Sequence, residues 1–188
     1  AIFPKPENYQ MFDYSLLLNG LKEGVKDLYP AYFAMVMATG IISIAAHLLG
    51  MPLVAVALFW LNIVTYLVLW FLNVLRVIWF TSQFFSDMVD HKRGPGFFTS
   101  IAGSCVLGSQ FVLISGNYLA ATFLWVLGII LWIGLTYTIF TAFTIKENKP
   151  TLDEGITGAW LLAVVSTQAI AVLSALIASH WKQPYKLE

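Results

Sequence analysis

The side chains able to do covalent or metal chemistry are few and scattered in this sequence. The histidines are His47, His91 and His180, and the one cysteine is Cys105. No two of them share a spacing that would grip a metal ion. Cys105 stands among small residues and reads as core packing rather than as a nucleophile. Neither a phosphate-cradling glycine loop nor a Gly-x-Ser-x-Gly elbow occurs, so no enzyme activity, metal or cofactor is expected. The ten carboxylates, from Glu7 to Glu188, all fall outside the long apolar runs. Inside those runs stand hydroxyls, the amides of Asn62, Asn73, Gln110 and Gln168, and one guanidinium, Arg76. Apart from Arg76, such groups handle a solute by hydrogen bonding alone. An interior free of acids suits an anion, and it fits poorly with a proton relay or with a cation channel ringed by carboxylates. Arg76 has two readings: it draws anions toward a pathway, or it snorkels to the interface as a positive anchor.

The elements that must position these groups are membrane spans. Of 188 residues, 59% are hydrophobic and 11% charged, with a mean hydropathy of +0.79. An ordinary soluble domain carries roughly 25% charged residues. Ten basic and ten acidic residues cancel, so there is no cationic excess to hold nucleic acid. At about 20 residues per span the length allows about six crossings. Five apolar runs are present, at about 29–49, 53–80, 97–115, 119–144 and 156–178. Gly50-Met51-Pro52 and Gly116-Asn117 make tight turns, so spans one and two, and three and four, form hairpins. Thr151 to Glu154 reads as a capping box for the fifth helix. Residues 1–28 include an amphipathic stretch from Tyr9 to Leu28, read as an interfacial helix or a packing strap. Residues 179–188 form a tail. Lysines and arginines gather before span one and after spans two and four, which places the N-terminus in the cytoplasm of a multi-pass plasma- or inner-membrane protein.

The spans alternate in composition. Span one carries Thr39, Gly40 and Ser43 among many alanines, and span three carries Thr99, Ser100, Gly103, Ser104 and Gly108. Span five carries Ala163, Ser166 and Thr167. Spans two and four are rich in aromatics, from Phe59 to Phe80 and from Phe123 to Phe143. Small residues let helices approach closely or leave room for a passage between them, whereas aromatics suit the lipid side. The odd helices are therefore expected inside and the even ones outside. The small-residue faces then either line a pore or only pack helices, as in a non-transporting scaffold or half-subunit.

Three segments carry a resemblance. They are Tyr29-Pro-Ala-Tyr-Phe-Ala-Met-Val-Met-Ala-Thr-Gly-Ile-Ile-Ser43, Asp90 through Thr99 running on to Gly103 and Gln110, and Gly155 through Gln168. In this order the chain resembles the tellurite-resistance/C4-dicarboxylate transporter family, with its slow anion channels, malate permeases and sulfite exporters. The resemblance covers about residues 29–178. It implies an all-α membrane fold of ten helices, arranged as five hairpins about a quasi-fivefold axis and assembled as a homotrimer. It also implies transport of small anions such as malate, nitrate, chloride, sulfite or tellurite through a pore lined by the odd helices. The pore-lining candidates are then Thr39, Gly40, Ser43, Thr99, Ser100, Gly103, Ser104, Gly108, Ala163, Ser166 and Thr167. Beginning at Ala1 and ending on Leu187-Glu188, the chain reads as the N-terminal half of a longer protein or as a deliberately shortened one, with the gate-bearing ninth helix missing.

Overall fold

The computed structural model describes residues 14–146, 151 and 157–181, and the side chains of all of these except 14–17 and 181. Residues 152–154 of the capping box, residues 1–13 of the N-terminal segment and the tail after residue 181 lie outside the described residues. Among the described residues seven α-helices follow one another and no strand occurs. They are α1 (Tyr14–Lys26), α2 (Phe33–Leu48), α3 (Pro52–Trp79), α4 (Thr81–Met88), α5 (Phe98–Gln110), α6 (Tyr118–Ile145) and α7 (Leu161–Trp181). Among the described residues five segments are long and apolar enough to cross a membrane: Pro30–Leu48, Pro52–Trp79, Gly94–Ser115, Tyr118–Ile145 and Gly158–His180.

Local sequence sets the breaks. Gly50 takes a φ of 75° between α2 and α3, a conformation that favours glycine, and Pro52 opens α3 where a missing N–H costs nothing. Ser43 Oγ donates to the Ala55 carbonyl at 2.8 Å and ties this hairpin together. Between α5 and α6, Gly116 takes a φ of 65°, and the Asn117 side chain caps α6 by accepting from Ala120 N at 3.0 Å. The last turn of span three, Phe111–Ser115, is π-helical and closes with Asn117 N on Phe111 O at 3.0 Å. At the other end, Asp90 Oδ1 accepts from the backbone N–H groups of Lys92 and Arg93, turning the chain into the 3-10 segment Gly94–Phe97 that starts span three.

Helix α5 is the hub. Of the apolar window in span three, 72% is buried, against 28%, 28%, 22% and 17% in spans one, two, four and five. The expected sorting of odd helices inside and even helices outside therefore holds for spans two, three and four, whereas spans one and five are no more buried than the even spans. Spans one and five each keep an exposed face, including Ile41 and Ile42 on α2 and Val164 and Val172 on α7. The physical reason is that five helices suffice to surround one of their number, not three.

In a bilayer the lipid tails are as apolar as the side chains, so close packing and polar ties hold the helices together. The small residues of α5 serve that purpose. A Cβ placed on Gly103 would stand 3.3 Å from the Phe33 carbonyl oxygen of α2, and one on Gly108 would stand 2.6 Å from Leu173 Cδ2 of α7. Three clusters of buried side chains complete the core, centred on Phe33, Tyr66 and Leu107, on Phe98, Ile101 and Ile139, and on Cys105, Ala121 and Leu173.

One end of the bundle carries the described basic residues. There Arg76 is wholly buried, and its guanidinium donates to Asp87 Oδ2 of α4 and, at 3.2 Å, to the Lys26 carbonyl of α1. Arg93 Nη1 donates to the same carboxylate oxygen at 2.8 Å. Arg76 thus ties α1, α3 and α4 together. It neither snorkels nor presents a free charge. Helix α4 lies between the apolar runs 53–80 and 97–115, in a stretch that hydropathy does not mark as a helix.

Candidate functional site

Helices α2, α5 and α7 meet along a concave face with a cavity of about 280 Å³. Helix α2 contributes Met37, Ile41 and Ile44, α5 contributes Ala102, Val106 and Ser109, and α7 contributes Val165, Gln168, Ala169 and Val172. The contributions of α5 recur at i, i+4 and i+7, so they form one stripe of the helix. All three helices are the odd spans. The stripe is apolar apart from the Ser109 hydroxyl and the Gln168 amide, and no ionisable group is among its lining residues. Ser109 Oγ donates to the Cys105 carbonyl at 3.0 Å, so its oxygen offers lone pairs to the cavity.

None of the eleven small residues singled out in the sequence lines this cavity. Thr99 Oγ1 donates to the Gly96 carbonyl at 2.7 Å, and Ser100 Oγ to the Phe97 carbonyl at 2.7 Å. Ser104 Oγ donates to the Ser100 carbonyl at 2.7 Å and meets the Tyr66 hydroxyl at 2.8 Å, which faces it toward α3. Gly103 and Gly108 sit at the contacts with α2 and α7 described above. Gly40 and Ser43 are buried against α3 and α5, and Thr39 is half-buried. Thr167 accepts from Trp132 Nε1 at 2.9 Å on the α6 side of α7, while Ser166 is buried and donates to the Ala163 carbonyl. Together these residues form the contacts around α5 and α7 rather than the concave wall.

Behind the wall lies a polar pair. Asn62 Nδ2 donates to Gln110 Oε1 at 2.6 Å, and both side chains are fully buried. Asn62 Oδ1 and Gln110 Nε2 have no hydrogen-bond partner. Gly40 makes room for the pair: a Cβ there would stand 3.0 Å from Asn62 Nδ2, 3.2 Å from Gln110 Oε1 and 2.4 Å from Val106 Cγ1. The signal for this node was present in the sequence as two amides and a glycine in three different spans. Their pairing was not, because nothing in the spacing relates residue 62 to residue 110.

Two proteins of Methanocaldococcus jannaschii, each described as an uncharacterized transporter, match the chain. One is 31% identical over 162 residues and the other 25% identical over 162 residues. Each match covers 83% of this chain and 46% of the relative, so the chain spans about half the length of the curated relatives it matches. No solved structure matches. The family model described as voltage-dependent anion channel, SLAC1, matches residues 27–188, and the chain belongs to that family.

Proposed function

We propose that this chain forms part of a pathway for small anions, with Ala102, Val106, Ser109 and Gln168 on its wall. The observation that carries the proposal is the concave face itself: three odd spans share a cavity of about 280 Å³ whose lining holds no charge. A dehydrated anion is costly to bury. With the Ser109 hydrogen committed to the Cys105 carbonyl, the Gln168 amide N–H is the donor the wall offers, a weak site of the kind that lets an ion leave again. Membership in the anion-channel family supports the same reading. The exposed faces of α2 and α7 then meet further helices that close the passage, in the ten-helix quasi-fivefold arrangement and the homotrimer that the family resemblance implies. The basic end faces the cytoplasm by the positive-inside rule.

The test is anion flux from proteoliposomes loaded in turn with nitrate, chloride, sulfite, tellurite and malate. At least one is expected to move, and Val106→Trp is expected to block it, since the indole would fill the face that α5 presents. Absence of flux for all five, or unchanged flux in Val106→Trp, overturns the proposal.

A further inference from the structure

A second cavity lies on the far side of α5, since Phe97 and Ser100 point roughly opposite to Ala102, Val106 and Ser109 at about 100° per residue. It measures about 230 Å³ and occupies a crevice between α3 and α6. Trp70, Val74 and Val77 line one side and Leu131 and Leu135 the other. An apolar cavity of about 150 Å³ already stays dry and takes up apolar guests. The polar groups on the lining are few: Asn73 Nδ2 donates to the Leu69 carbonyl, Ser100 Oγ donates to the Phe97 carbonyl, and Trp70 Nε1 is buried without a partner.

The crevice opens sideways. Val74 and Ile78 at its mouth are 50% and 66% exposed on the outer face of a membrane-spanning helix, so the medium outside is hydrocarbon. From Trp70 to Ile78 the lining follows α3 for about 12 Å at about 1.5 Å per residue, a furrow that runs along the helix as a lipid tail does. Its basic end carries two cations, each parked on an aromatic ring beside a lining residue. Lys22 Nζ lies 5.9 Å from the Trp79 ring centroid, next to Ile78. The Arg93 guanidinium lies 5.9 Å from the Tyr29 centroid, next to Pro30. Asp87 is shared by Arg76 and Arg93, so that cluster keeps a positive charge in excess.

We infer that the crevice between α3 and α6 binds one acyl chain of an anionic phospholipid, whose phosphate sits between Lys22 and Arg93. The tail fills a dry furrow open to the bilayer. The headgroup meets the surplus cationic charge, and attraction to cations at a membrane surface is what separates anionic from zwitterionic lipid.

The detergent-purified protein, titrated with phosphatidylglycerol or phosphatidylcholine of equal chain length, tests this by native mass spectrometry and thermal unfolding. One phosphatidylglycerol is expected to remain bound per chain and to raise the unfolding midpoint, with phosphatidylcholine at least about tenfold weaker. Ile78→Trp plugs the mouth at an exposed position and should abolish retention. Lys22→Gln breaks no ion pair among the described residues; it should weaken phosphatidylglycerol severalfold and leave phosphatidylcholine unchanged. Equal binding of the two lipids, or full retention by Ile78→Trp, overturns the inference. A changed oligomeric state of Ile78→Trp with no lipid retained by either protein also overturns it, and assigns the crevice to contacts between copies.

Discussion

Arg76 and Asp87 form a buried ion pair that fastens a membrane-spanning helix to the short helix following it. The arginine side chain is 0% exposed and the aspartate side chain 12%. Arg76 Nε and Nη1 have no partner, so Asp87 supplies most of the compensation for a buried charge. Removing one member of such a pair is far more damaging than replacing both with apolar groups. Asp87→Ala is expected to lower unfolding stability by about 3–5 kcal/mol. The double variant Arg76→Met with Asp87→Leu should cost much less. Denaturant titrations of the protein in detergent read both values, and a double variant as damaged as the single one would refute the argument.

The Asn62–Gln110 pair makes a different kind of prediction, because each amide already leaves one group unsatisfied. Cutting Asn62 to alanine strands the Gln110 amide entirely and should cost about 1–3 kcal/mol. Cutting Gln110 to alanine does the same to Asn62. Side-chain hydrogen bonds between helices in a membrane have coupling energies averaging about 0.6 and reaching about 1.7 kcal/mol. The double variant should therefore cost less than the summed single variants by an amount in that range. A double-mutant cycle with no coupling would remove the pair from the account of how α3 meets α5.

His91 gives the chain a pH response at the basic end. Its ring stacks on Phe143 with centroids 4.2 Å apart, and Phe143 in turn meets the Trp160 ring edge-on at the start of α7. Burial against its neighbours, with the Lys146 ammonium adding to it, holds the imidazole below its ordinary value near 6.5, while Asp90 opposes weakly. The native state thus binds fewer protons than the unfolded chain. Stability rises with pH through the window between the lowered value and about 6.5, and is complete above it. Acidification from pH 7.5 to 5 should lower the unfolding midpoint. In His91→Phe, which keeps the ring contact, that decline should flatten. An identical slope in the variant would assign the acid sensitivity elsewhere.

Much of the fold was legible because length and hydropathy leave little freedom: an apolar run of about 20 residues has to be a helix. Glycine, proline and asparagine at the turns marked the hairpins for the same kind of reason. Helix α4 was not legible, since Thr81–Met88 is polar enough to pass for a loop and becomes helical while Asp87 is drawn toward Arg76. The site was only partly legible. A small residue is equally suited to close packing and to lining a passage, and composition cannot tell which neighbour it faces. Span three, being surrounded, needs small residues on several sides at once. Gly103 and Gly108 answer to α2 and α7, and what remains for the concave face is the less conspicuous Ala102, Val106 and Ser109.

Packing and pathway are linked at Gly40, and that link gives the sharpest test of the concave face. Gly40 is buried, and a Cβ on it would stand 2.4 Å from Val106 Cγ1, closer than real contacts allow. Valine is stiff at χ1, so it cannot swing its methyl aside without leaving a preferred rotamer or moving the backbone. Overpacking of this kind costs about 1–3 kcal/mol. Because Val106 lines the cavity, the displacement also moves side-chain atoms or the whole of α5 relative to the wall. Gly40→Ala should therefore lower both the unfolding midpoint and anion flux. Val106→Ala deletes the clashing methyl groups and widens the face, so flux in that variant should equal or exceed that of the parent. In Gly40→Ala with Val106→Ala, the midpoint and the flux should both recover in part, because the contacts of the new Cβ with Asn62 Nδ2 and Gln110 Oε1, at 3.0 and 3.2 Å, remain. Recovery of stability without recovery of flux would mean that Val106 only packs helices, and the passage would have to be sought along another face of α5.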